Sequence, residues 1–336
     1  MISTKPSQTV AASPLLPGIT VLIPVYNRGE SVKSTLRSLE LQSRRPERVI
    51  LIDNNSIDNS LEVISDWASE KNSEGWEVSV IRELTPGAAA ARKAGERLIT
   101  TRYACFFDSD DLMHPDFVEK AMEDFDNDPE LKITAWSLRF NNPDGKKRIR
   151  RILPGRPLEN HLVQGLLSTQ AYAVDTTYLR ASGGWNPAIG GWDDWELGLR
   201  LLMGGGRLKV CSDVRAEITV QEDSITGLSY MHRKGDWERT IDEMERQTLA
   251  SMGQRALNRN FDDKTAKRIL RLLAYRRAIL AAHYKKEGDN AGAKKLLEKA
   301  LSEPSLSPLR KRLLSLAYHY TAIGLPGAGG IFPALL

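Results

Sequence analysis

The chain reads as an α/β protein: a mostly parallel sheet covered by helices on both faces, followed by an all-α carboxyl-terminal extension. Three observations predict this. Up to Leu131, short β-branched runs alternate with helical patterns, as strands joined by crossover helices do. After Leu131 the pattern turns to mixed strand and helix, and from about Asp236 onward helix follows helix. A length of 336 residues holds one large domain, or one domain with an appendage. The boundaries follow: a flexible leader over 1–17, a catalytic domain over 18–235, and a helical extension over 236–336.

Taken in order, "ITVLIPVYN" (Ile19 to Asn27) is an apolar run that ends in a turn, and a helical pattern follows from Glu30 to Gln42. "RVILIDN" is a second strand and Ser60 to Lys71 a second helix. "EVSVIRE" is a third strand, followed by an alanine-rich helix from Gly87 to Ile99, and "YACFF" is the fourth strand. Beyond it come "KITAWSLRF", a basic turn "GKKRIRRI", and "TQAYAV". "DTTYLRAS" makes a short helix capped by Asp175 and stopped by Gly183 and Gly184. "WDDWELGLRLLMGGG" is a helix with an acidic start, and "GRLKVC" with "RAEITVQ" predicts a last pair of strands.

Composition excludes several classes. Hydrophobic residues make up 41% and charged residues 27%, as in ordinary globular proteins. The net charge of +4 gives no ground for a nucleic-acid partner, but it is unevenly spread: Asp262 to Arg312 holds 14 basic and 6 acidic residues. Cys105 and Cys211 are the only cysteines and supply neither a disulfide framework nor zinc spacing, which fits a cytoplasmic location. "MISTKPSQTVAASPLLPG" lacks the apolar core of a signal peptide, and no apolar run is long enough to span a membrane. The uncharged tail from Leu313 to Leu336 is read as packing, ahead of contact with a membrane surface or partner.

Ligands of such sheets bind beyond the carboxyl ends of the strands. Asn27, Asp53 and Asp108 each end a strand, so the fold gathers them on one rim. "FFDSDD" adds Asp110 and Asp111. Carboxylates this close repel one another and are costly to desolvate. A divalent cation, Mn²⁺ or Mg²⁺, relieves that repulsion and leaves ligand positions open for a diphosphate. Asp193, Asp194 and Glu196 form a second acidic cluster at the start of a helix, where the helix dipole also favours them.

"VLIPVYNRGESVKSTLRSLELQ", "VILIDNNSIDNS", "PGAAAARKAG", "FFDSDD" and "GGWNPAIGGWDDWELGLRL" stand in the order and spacing of glycosyltransferase family 2, which the chain resembles from about Ile19 to Ser229. The resemblance implies a GT-A, Rossmann-like fold, a nucleotide-diphosphate sugar donor (a UDP-sugar foremost), a divalent metal, and inversion at the transferred sugar. It implies that Pro24, Tyr26 and Asn27 line the nucleotide pocket and that Asp53 and Asn54 contact base and ribose. Arg92 matches the family's "G-x-x-x-A-R-N" element, Asp108 and Asp110 its D-x-D with Asp111 beside them, and Asp194 its catalytic base with Asp193 adjacent. The acceptor implied is a glycan or lipid-linked saccharide in bacterial polysaccharide or glycoconjugate assembly.

The chain departs from the family at several points. Asn54 stands where a second Asp is frequent, Lys93 where Asn is usual, and Asp193 where Glu is commoner; Gln221 occupies a position often held by His, whose part falls to Gln221, a water or His232. The basic turn of Lys146, Lys147, Arg148, Arg150 and Arg151 is a solvated hairpin or a seat for an anionic acceptor. Trp185, Trp192 and Trp195 surround the proposed base, as core or as stacking surfaces for an acceptor sugar. The extension resembles a single tetratricopeptide-type hairpin, with Ala281, Tyr284, Gly288, Ala291 and Ala300 in the expected places. Its partners are the catalytic domain, a second subunit, or an anionic membrane surface. Two competing readings are a lapsed enzyme that acts as a scaffold through the extension, and a nucleotidyltransferase. The latter needs a glycine-rich loop, where "PVYNRGES" has only Gly29.

Overall fold

A computed structural model describes residues 14–150, 155–220, 230–252, 261–325 and 333. Its centre is one nine-stranded sheet. Strands β1 (Leu16–Val25), β2 (Arg48–Asp53), β3 (Val78–Arg82) and β4 (Thr101–Phe106) run parallel in the order β3-β2-β1-β4. They alternate with α1 (Ser31–Glu40), α2 (Ser60–Ser73) and α3 (Ala88–Glu96). The order then continues through β8 (Tyr172–Asp175), β6 (Leu131–Asn141), β9 (Arg207–Thr219) and the short β5 (Leu112–Met113), with β7 (Lys147–Arg150) paired to β6. β8 lies antiparallel to β4, so the sheet is mixed beyond its parallel half.

Alternation along β1 builds three layers. Ile19, Val21, Ile23 and Val25 pack on one face against Val32, Leu36 and Leu39 of α1, Ile64 of α2, and Phe117 and Phe125 of α4 (Phe117–Asn127). Leu22, with Ile50 and Ile52, faces the other side, where Ala91 of α3, Leu179 of α6 (Thr176–Ala181) and Leu197 and Leu201 of α7 (Asp193–Met203) cover it. Successive residues of a strand point to opposite faces, so a run buried on both sides must be apolar throughout, as "VLIPV" is. Gly95 lets α3 lie close to the sheet: a Cβ there would come within 2.6 Å of Leu22 Cδ1. Asp175 caps α6 by accepting from Tyr178 N at 2.9 Å, as its sequence predicts.

One expectation is corrected. Where "GRLKVC" and "RAEITVQ" predict two strands, one strand, β9 (Arg207–Thr219), runs parallel to β6, with Gln221 outside the described residues. Ser212 and Asp213, which lie between the two segments, are taken up in an irregularity, where pairing steps from Trp136–Cys211 to Ser137–Val214.

The helices α8 (Asp236–Ser251), α9 (Asp263–Lys286), α10 (Asn290–Leu301) and α11 (Pro308–Ala322) complete the described chain. Leu272, Leu273, Tyr275, Leu280 and Tyr284 of α9 share one buried cluster with Leu162 of α5 (Pro157–Gln164) and Trp195 and Leu199 of α7. The extension is therefore built onto the elements that carry the second acidic cluster. Cys105 and Cys211 are both free thiols. Among the described residues, no helix is long and apolar enough to cross a membrane.

Candidate active site

Register brings the strand ends to one rim. Val25 of β1 pairs with Asp53 of β2, which pairs with Arg82 of β3, and Phe106 of β4 pairs with Leu22. Pro24 is buried within β1, while Tyr26 beyond its end is 56% exposed. Asn27 adopts a left-handed backbone (φ 49°), which asparagine tolerates. Its Oδ1 accepts from Ile57 N at 2.9 Å, stitching the loops after β1 and β2 together. Asp53 is fully buried, 3.3 Å from Arg82 Nε. Asn54 donates to Glu83 O at 2.8 Å and Thr85 O at 2.7 Å, and accepts from Gly87 N at 2.8 Å. Both of its N–H donors are thus taken by the loop leading into α3. Tyr26, Ile57 and Leu84 leave apolar side chains exposed along these stitched loops.

The acidic stretch after β4 is held by cations and an amide. Arg28 Nε lies 3.3 Å from Asp110 Oδ2. Gln170, in the 3₁₀ turn Thr169–Ala171, donates to Asp108 Oδ2 at 2.7 Å and also to Asp111 Oδ2. Asp111 is almost fully buried and accepts from Thr219 N at 3.0 Å as well. Burial pushes the Asp110 carboxyl up, helped by the charge of Asp108; burial with the charges of Asp108 and Asp110 pushes Asp111 well above the carboxylate range. Negative charge here is only partly compensated by the protein.

The second acidic cluster starts on strained backbone. Trp192, the residue before α7, sits at φ 57°, uncommon for so bulky a residue. Its ring packs 4.6 Å from Trp237 and 5.4 Å from Trp195, which holds it there. Asp193 pairs with Arg92 Nη1 at 2.5 Å, and the other arm of that guanidinium bonds Asp108. Arg92 is 4% exposed and lies 4.7 Å over the ring of Trp185. It is a strut between the two acidic clusters, a bidentate role suited to a planar fork of donors. Asp194 accepts one longer bond, from Thr169 N at 3.3 Å. Crowding by protein raises its pKa to about 6, with the charge of Asp193 adding to the effect and Arg92 opposing it. Glu196 turns into the core and pairs with Arg200 at 2.7 Å, away from the rim.

Behind α7, the wholly buried His161 of α5 bonds through Nε2 to Trp195 O at 2.7 Å and accepts through Nδ1 from Leu167 N at 3.2 Å. Trp195 Nε1 returns a bond to His161 O at 3.0 Å. Burial lowers the His161 pKa to about 4, so the ring stays neutral at neutral pH. Sequence reasoning passed over Arg28, Thr169, Gln170 and His161, because their roles rest on contacts distant in the chain. Of the three flanking tryptophans, Trp185 and Trp195 are core. The basic turn is β7, whose Arg148 and Arg150 lie 4.6 and 5.3 Å over the ring of Phe140, while Arg151 lies outside the described residues. Gln221 also lies outside them; His232 falls in the 3₁₀ turn Tyr230–Arg233, with its side chain undescribed.

Among the described residues, no three His, Cys, Asp or Glu side chains converge as a ready metal cage. The donor set nevertheless fits a hard divalent cation. Asp108 and Asp110 offer oxygen ligands only, and burial, helped by the charge of Asp108, raises the Asp110 pKa. Asp111 is already committed to Thr219 and Gln170. A cavity of about 340 Å³ lined by Leu158, Glu159, Lys264 and Arg268 lies elsewhere, between α5 and the start of α9, and contains none of these carboxylates.

Residues 20–178 match the family described as Glycosyl transferase family 2. The chain is 31% identical over 104 residues to an uncharacterized glycosyltransferase, YibD, of Escherichia coli, covering 31% of this chain and 29% of that protein. It is 29% identical over 146 residues to the amylovoran biosynthesis glycosyltransferase AmsB of Erwinia amylovora, covering 42% and 47%. The chain thus spans less than half the length of these curated relatives. Among solved structures, Staphylococcus aureus TarS 1-349 in complex with UDP-GlcNAc superposes with a TM-score of 0.66 at 16% identity, covering 91% of this chain and 87% of that one. The likeness shows a shared fold. The sheet and its rim show a GT-A fold, and residues 20–178, a little under half of the chain, are similar to glycosyl transferase family 2.

Proposed function

We propose that the chain is a metal-dependent, inverting glycosyltransferase that moves a sugar from a nucleotide-diphosphate donor, a UDP-sugar, to a hydroxyl of a glycan or lipid-linked acceptor. The observation that carries this reading is the division of the acidic residues into two environments joined by Arg92. On one side Asp108 and Asp110 face partly uncompensated charge; on the other Asp194, raised to about 6, stands apart from that cluster.

The nucleotide lies over the stitched loops, its base against Tyr26, with Asp53 and Asn27 beneath it. Asn54 supports that floor by fixing the loop into α3. Asp108 and Asp110 would hold Mn²⁺ or Mg²⁺, which would supply positive charge against the diphosphate leaving group. Asp194 takes the proton from the acceptor hydroxyl as that oxygen attacks the sugar carbon opposite the leaving group. A carboxylate with a pKa of about 6 is ionised at neutral pH and more basic than an ordinary aspartate. Arg92 holds Asp193 and Asp108 in fixed relation, so the base and the donor keep their spacing. The names of curated relatives, an amylovoran biosynthesis glycosyltransferase and a putative teichuronic acid biosynthesis glycosyltransferase, support polysaccharide assembly as the setting.

Thermal-shift titration with UDP and UDP-sugars in Mn²⁺ tests the donor half. Wild type is expected to gain a saturable, metal-dependent shift that Asp110→Asn loses. Asp194→Asn is expected to keep the shift while transfer falls by about 10² to 10⁴. A shift equal in Asp110→Asn and wild type overturns the ligand assignment; metal-independent silence with every common nucleotide sugar favours the scaffold reading.

A further inference from the structure

Two arginines near the proposed base, Arg150 and Arg276, lack any carboxylate within ion-pair distance among the described residues, whereas most guanidinium groups of this protein are paired. Arg276, from α9 of the extension, lies 5.0 Å over the ring of Trp192 and 5.3 Å over that of Trp195, the residues that bracket Asp193 and Asp194. Arg150, at the end of β7, is bonded to the neutral hydroxyl of Ser168 at 2.8 Å. Its neighbour Arg148 crowds the same Phe140 ring. The charges of Arg150 and Arg276 act on one buried ring, that of His161, and Arg150 also acts on Asp194.

Guanidinium groups withdrawn from water without a carboxylate in ion-pair contact are costly to maintain. Stacking on indole or phenyl rings holds them flat and leaves their N–H edges to recognise an oxyanion. The donor's diphosphate belongs with Asp108 and Asp110, on the far side of the Arg92 strut. The space beside Asp194 is where the acceptor hydroxyl must arrive. We propose that Arg150 and Arg276 form an oxyanion subsite beside Asp194 that receives a phosphate group of the acceptor. The extension then contributes directly to acceptor recognition, with Arg148 at the subsite's outer edge. This rests on the reading of Asp194 as the base, and two separate measurements keep the two claims apart.

The probe is inorganic phosphate, titrated into the full chain in EDTA at constant ionic strength and followed by the fluorescence of Trp192 and Trp195 and by thermal shift. Saturable binding is expected in wild type and in Asp110→Asn, at least about tenfold weaker in Arg276→Gln and in Arg150→Gln, and intermediate in Arg276→Lys, which keeps charge without the planar stack. Binding of UDP with Mn²⁺, measured on the same proteins, is expected to persist in the arginine variants and to fail in Asp110→Asn. Phosphate binding undiminished in both Gln variants overturns the subsite. So does a response no greater than that to chloride, and acetate binding as tight as phosphate overturns the phosphate assignment. Should Arg276→Gln fail to fold, Arg150→Gln and Arg276→Lys decide. Loss of UDP binding by wild type would sink the donor reading while leaving the phosphate result standing.

Discussion

At the scale of single residues, Asp194 is set apart by what surrounds it. Its neighbour Asp193 has a full ionic partner in Arg92, while Asp194 has one longer bond and protein on most sides. The resulting pKa of about 6 has two consequences. Turnover at saturating substrate is expected to rise as pH passes upward through about 6, where the base ionises, and Arg150→Gln should move that inflection higher because Arg150 favours the ionised form. Stability moves the opposite way. A carboxyl whose folded pKa is raised favours folding fully below its unfolded value of 3.8 and loses that contribution as pH climbs through about 6. Asp194→Asn should therefore be more stable than wild type at pH 7.5, by about 1 to 3 kcal/mol, with the difference vanishing near pH 4. Urea unfolding of both proteins at the two pH values checks this, and a gap independent of pH would refute it. Residue types at this scale were legible in advance: the aspartates stand at strand ends in plain view. Their partners were not, since Gln170 bonds carboxylates some sixty positions away and Arg92 one that is 101 positions away.

At the scale of elements, the alternation of apolar runs with helical patterns was enough to place β1 to β4 and α1 to α3, because a parallel strand must be apolar on both faces. β9 was misread as two strands because a local polar pair looks the same whether it ends a strand or bulges within it. The junction of α5 and α7 was beyond sequence reading altogether. Gly198 is the reason these helices approach so closely: a Cβ there would overlap the His161 ring at Cε1. That ring cannot swing aside, being bonded at both nitrogens. In Gly198→Ala the helices must part, which should cost about 1 to 3 kcal/mol of stability. As Asp194 lies in the first turn of the same helix, kcat is expected to fall while UDP and Mn²⁺ binding stays as in wild type. Chemical denaturation and a UDP titration test the two halves; a variant with wild-type stability would show that the contact yields cheaply.

For the whole molecule, the question is whether the extension is a separate unit. The sequence shows where helices take over, at Asp236, but not what they cover, because an amphipathic face does not name its partner. In the structure that partner is the sheet domain's own helices α5 and α7. Leu272, Leu273, Tyr275, Leu280 and Tyr284 of α9 are buried in one cluster with Leu162, Trp195 and Leu199. Burial of a large apolar side chain is worth about 1.5 to 3 kcal/mol, so these five contribute on the order of 10 kcal/mol, comparable with the whole stability of an ordinary domain. A chain that shares so much core should unfold as one. Calorimetry of the full chain is expected to give a single transition, and Leu273→Ala should lower its midpoint with a loss of about 2 to 5 kcal/mol. Fluorescence of Trp195 and far-ultraviolet dichroism should follow the same curve in that variant. If the extension were an independent module, Leu273→Ala would split the melt, releasing helical signal early while the sheet and its carboxylate rim held to the original temperature.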